Sequence, residues 1–86
     1  MSADIEASTH LQKAWDRIAF VIFKPDTPEI QKTEMRRAFY AGAKTALTLM
    51  VEIADDIEDE EDAAIEVAKL DMECMAFAMK IQNGEA

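Results

Sequence analysis

One cysteine, one histidine, two glycines and two prolines occur in 86 residues, and each scarcity closes off a class of protein. With Cys74 alone, no intramolecular disulfide can form, so the fold must rest on packing, which suits a reducing compartment. The only glycines are Gly42 and Gly84, and no G-x-G-x-x-G, Walker, H-E-x-x-H or G-x-S-x-G pattern occurs, which excludes loop-type phosphate cradles and the common hydrolytic signatures. A nucleophile–base pair would have to join Cys74 to His10 from opposite ends of the chain. Cys74 falls in an apolar stripe, where cysteine packs as a small hydrophobe, and His10 reads as an exposed residue of the first helix. The expectation is a protein that is not an enzyme and has no cofactor. No apolar run approaches the roughly 18 residues of a membrane span. Met1 to Ala7 is polar and acidic, unlike a secretory leader, so a soluble cytoplasmic protein is expected.

Apolar residues make up 50% of the chain and charged ones 31%, a mix rich enough in hydrophobes to pack a core. The length suits one helical domain spanning 1–86. A net charge of −9 argues against general binding to nucleic-acid backbones. The charge is unevenly spread. Residues 1–45 hold seven basic and six acidic side chains, and residues 46–86 hold two basic and twelve acidic, so the acidity belongs to the second half.

Three segments show helical spacing. In the first, over about 4–23, Leu11, Trp15, Ile18 and Ile22 fall on one face. Its end, Ala19-Phe20-Val21-Ile22-Phe23, is also compatible with a short strand, so residues 17–23 are either helix or strand. Lys24-Pro25-Asp26-Thr27-Pro28-Glu29 stops this segment and starts the next, with Thr27 as N-cap and Pro28 as the first helical residue. The second helix is expected over about 28–56, with a heptad-like seam of Phe39, Ala43, Ala46, Met50, Ile53 and Ile57. An acidic turn at 57–61 leads into a third helix over about 62–82. That helix carries Val67, Leu70, Cys74, Phe77 and Ile81 on one face and ends at Asn83-Gly84. The fold class is therefore all-α, with three helices: a long antiparallel hairpin and a shorter N-terminal helix packed across it. Both long helices carry a second apolar set, Met35, Ala38, Gly42 and Leu49 on one and Ala68, Met72, Met75 and Met79 on the other. Such wide apolar arcs predict a homo-oligomer, most simply a dimer.

The acidic run from Asp55 to Asp62 lacks the D-x-D-x-D-G order and the glycine of a calcium loop, so no metal site is expected there. It reads as a solvated loop whose carboxylates favour the start of the third helix. Gly42 lies between Ala38 and Ala46 inside a helix, where glycine costs about 1 kcal/mol relative to alanine, so a close helix approach is expected there. The most suggestive group is Lys32, Arg36, Arg37, Phe39, Tyr40 and Lys44, because Lys32, Arg36, Tyr40 and Lys44 repeat at i, i+4 along one face. Arginine grips phosphate or carboxylate with a planar fork and tyrosine stacks on rings, so Lys32, Arg36, Arg37, Tyr40 and Lys44 are candidate ligand-binding residues. The competing reading pairs Arg36 and Arg37 with acidic side chains of the same protein or a neighbouring subunit, while Tyr40 shields the core.

The stretch Glu34-Met35-Arg36-Arg37-Ala38-Phe39-Tyr40-Ala41-Gly42-Ala43 resembles a segment found in many small phage and prophage accessory proteins. The resemblance implies a bacterial host and two classes of activity. One is an oligomer that sequesters an anionic small molecule such as a nucleotide immune signal. The other is an inhibitor or adaptor that engages a host defence protein; the charge pattern offers the acidic stretch between Glu52 and Glu73 for such a contact.

Overall fold

The computed structural model describes Thr9 to Ala86. The described residues form three helices and no strand: α1 (His10–Ile22), α2 (Glu29–Asp56) and α3 (Glu60–Gln82). The all-α expectation holds, and residues 17–22 are helical. An isolated strand at 17–23 would have no neighbour to take up its backbone groups, whereas a helix satisfies them internally. α1 is described from His10, and residues 4–8 of the helix expected over about 4–23 lie outside the described residues. Phe23 is already extended (φ −88°, ψ 139°), and its N–H donates to the Ala19 carbonyl at 3.0 Å. Pro25, two residues on, allows no continuation.

The turn into α2 is closed by reciprocal bonds. Thr27 N–H donates to the Lys24 carbonyl at 3.0 Å, and Lys24 N–H donates to Thr27 Oγ1 at 2.9 Å. The Thr27 hydroxyl, expected to cap α2, thus faces back into the turn. The Pro28 carbonyl accepts from Lys32 N–H at 3.2 Å, which places the helix start within a residue of the expected one.

The chain divides into two compact units at Ala43/Lys44, inside α2. In the first, α1 packs on the opening turns of α2 through an aromatic cluster. Trp15 is 7% exposed, with the Phe23 ring edge-on at 5.7 Å and the Phe39 ring tilted at 5.5 Å. Phe39 in turn meets Tyr40 edge-on at 5.3 Å. Aromatic rings favour these offset and edge contacts, because the positive rim of one meets the negative face of the other. Phe20 and Val21 point away from the cluster and are exposed.

The second unit is a hairpin of the last turns of α2 and the whole of α3, joined by 57–59. Its half-buried positions are Ala46, Ile53, Ile57, Val67 and Leu70, drawn from the two stripes expected from spacing, together with Ala63 and Glu66, which lie in neither stripe. α3 starts at Glu60, two residues before the expected 62, because Asp59 is its N-cap: the Asp59 carboxylate accepts from Asp62 N–H at 3.0 Å. Glu60, Glu61 and Asp62 then occupy the first turn, where the positive end of the helix favours carboxylates. α3 ends in a Schellman motif. Glu85 N–H donates to the Lys80 carbonyl at 2.8 Å and Gly84 N–H to the Ile81 carbonyl at 3.1 Å, with Gly84 at φ +74°. That backbone conformation is open to glycine without a Cβ penalty.

Two further expectations are corrected. Cys74 is exposed, because the covered part of its stripe ends at Leu70 and every residue from Asp71 onward is exposed. Gly42 has no atom within 4 Å of an added Cβ, so no close approach at this position accounts for the glycine.

Candidate anion-binding site

The site is built on the second and third helical turns of α2 and braced by α1. Trp15 anchors α1 to Phe39, and this contact brings Gln12, one turn before Trp15, against Arg36 and Tyr40. The Gln12 side-chain oxygen accepts two bonds, from Arg36 Nη2 at 2.6 Å and from the Tyr40 hydroxyl at 3.2 Å. Its amide nitrogen donates to Asp16 Oδ1 at 2.9 Å, which fixes the orientation of the amide. The Arg36 guanidinium also lies over the Tyr40 ring, 5.6 Å from its centre, within the range of a cation–π contact.

The other ridge cations have different surroundings. Lys32 pairs with Glu29 at 3.3 Å and Arg37 with Glu34 at 3.3 Å, both one turn apart on the same helix. Such solvated pairs are worth about 0.3–0.5 kcal/mol and leave the side chains free to exchange partners. Arg36 has no carboxylate partner among the described residues; it is held by a neutral amide. A shallow open groove of about 530 Å³ is lined by Thr33, Arg36, Arg37 and Tyr40. Lys44, one turn beyond Tyr40, falls in the second unit and is not among the lining residues.

Of the five candidates drawn from spacing, the structure gathers Arg36, Arg37 and Tyr40 around one groove and ties Lys32 to Glu29. Gln12 and Thr33 are the residues that spacing missed. Gln12 lies three positions from Trp15 on the same face of α1, which is the one sequence signal that could have drawn it in. Thr33 carried none, since a threonine on an exposed helix face is ordinary. Comparison with family models, characterised proteins and solved structures finds no match to this chain.

The second unit carries another concavity, of about 480 Å³, lined by Ile53, Asp56, Ile57, Asp62, Ile65 and Glu66. Three of its lining residues are acidic and three are isoleucines. No helix among the described residues is long and apolar enough to cross a membrane.

Proposed function

We propose that this protein is a non-enzymatic accessory protein that binds and sequesters an anionic, ring-bearing small molecule of the nucleotide type in the groove at Thr33, Arg36, Arg37 and Tyr40. The observation that carries this reading is Arg36. Its guanidinium is positioned by Gln12 and Tyr40 and forms no direct ion pair with a carboxylate among the described residues. A positioned fork keeps its charge for a phosphate or carboxylate and loses less freedom on binding than a mobile one. Arg37 can leave an exposed pair to join it, and the Thr33 hydroxyl adds a donor. The likeness of residues 34–43 to phage accessory proteins agrees with sequestration of a nucleotide immune signal in a bacterial cytoplasm.

Thermal-shift screening with cyclic and linear nucleotides tests the reading, since a ligand at 100 times its Kd stabilises by about 2.7 kcal/mol. The expected result is a shift with at least one nucleotide that Arg36→Ala abolishes and that Lys44→Ala leaves within twofold in affinity. No shift with any nucleotide, or undiminished binding by Arg36→Ala, sinks it.

A second reading draws on the carboxylate-rimmed concavity of the hairpin, whose three isoleucines and three acids suit a basic, partly apolar protein surface. It describes an adaptor or inhibitor of a host protein. Association with such a partner should weaken steeply with salt and be lost on changing Asp56, Asp62 and Glu66 to their amides, while Arg36→Ala has no effect.

A further inference from the structure

A second apolar stripe on α3 has no cover within its own unit. Ile65, Ala68, Met72, Met75 and Met79 follow one another at three and four residues, the spacing of a heptad seam, and Gln82 continues it. Met72, Met75 and Met79 are 64%, 60% and 62% exposed, and Ile65 is 55% exposed. The hairpin needs such a surface covered. None of its residues from Lys44 to Ala86 is buried, and a unit of this size without a core is not stable alone.

We propose that this seam pairs with the same seam of a second copy of the chain, and that the two α3 helices run antiparallel. Charge decides both the occupant and the direction. Residues 65–82 carry Lys69 and Lys80 against Glu66, Asp71 and Glu73 and so total only −1, whereas residues 46–64 carry eight acids and no base. Two copies can meet along this seam without the repulsion that the acids between Glu52 and Asp62 would bring. The positions that flank the seam are Ala64, Lys69, Asp71, Ala76 and Ala78. In the antiparallel register Met72 faces Met75 of the other copy, Lys69 lies beside Ala76, and Asp71 lies beside Ala78, so no like charges are opposed.

A parallel pair would instead bring the two acidic tips side by side. Each tip holds eight carboxylates and no cation between Glu52 and Asp62. The antiparallel pair separates them by about 40 Å along the axis, several times the roughly 8 Å screening length at physiological salt. The pairing is independent of the anion groove, which lies in the other unit, so either can fail without the other.

Light scattering behind a sizing column, with the full chain at micromolar concentration, reads the assembly. The expected mass is an even multiple of 9.6 kDa, and the double variant Met72→Glu/Met75→Glu should halve it. Phe20→Ser, which alters an exposed apolar residue outside the seam, should leave it unchanged. A wild-type monomer, an odd multiple, or a double variant that keeps the wild-type mass overturns the proposal. Direction is read by thiol crosslinking in a Cys74→Ser background, which keeps the native seam apart from its ends. Ile65→Cys combined with Gln82→Cys should give a covalent dimer, because these positions face each other only in the antiparallel pair. Ile65→Cys alone should not, since its two copies lie about 25 Å apart along the axis. Crosslinking by the single variant, or its absence in the double, overturns the antiparallel pairing even if the glutamate variant fails to fold.

Discussion

At the scale of single residues, the two glycines separate cleanly. Gly84 sits at φ +74°, where a Cβ is strained by about 1–2 kcal/mol, so Gly84→Ala should open the Schellman turn. Amide exchange at Ile81 to Glu85 should speed up while exchange in α1 stays as it was. Gly42 has normal helical geometry and open space around it, so Gly42→Ala should raise the stability of α2 by about 1 kcal/mol, read as a higher melting temperature. A loss of stability there would mean that a partner approaches that face of α2. Sequence context marked both glycines correctly as helix-end and mid-helix, but it assigned Gly42 a packing role that needs a neighbour, and a neighbour is not a local property. Cys74 illustrates the same limit. Its place in a stripe with Val67 and Leu70 was legible, while the point at which the hairpin stops covering that stripe was not.

At the scale of elements, the three helices were legible because each has its own boundary chemistry: Pro25 and Pro28, the acids before α3, and Asn83-Gly84 after it. The error in the start of α3 came from treating the acids as one loop. Asp59 alone is the cap and its followers are already helical. Asp59→Ala should therefore cost about 1 kcal/mol, visible as a lower chemical midpoint with an unchanged denaturant slope. Asp59→Ser should recover most of the loss, since a hydroxyl oxygen also accepts from the third residue of the helix. Charge neutralisation alone predicts the reverse, with Ser and Ala equally harmful. The anion groove shows the same division. Arg36, Arg37 and Tyr40 could be read from the spacing of one helix, but Gln12, which orients two of them, belongs to another helix and reaches them only through the Trp15–Phe39 contact.

At the scale of the whole molecule, Trp15 is the one buried residue among those described, and the second unit has none. If α3 is covered by another copy, stability is linked to protein concentration by mass action. The melting temperature followed by helical circular dichroism should rise with chain concentration, and the Met72→Glu/Met75→Glu variant should lose that dependence. A melting temperature that is flat over a hundredfold range of concentration would disprove the linkage. The sequence by itself determined the helical class, the order and approximate bounds of the three helices, the split between a near-neutral first half and an acidic second half, and the cations at 32–44. These follow from side-chain periodicity, turn residues and charge, all of which act over a few positions. Tertiary structure alone decided that Trp15 gathers Phe23 and Phe39, that Gln12 holds Arg36 and Tyr40 beside a groove, and that the methionines of α3 stay uncovered within their own unit. Apart from the Trp15–Phe23 contact, which spans eight residues, those outcomes depend on which faces meet across long gaps in the chain, and one-dimensional spacing shows that a face exists without showing what covers it.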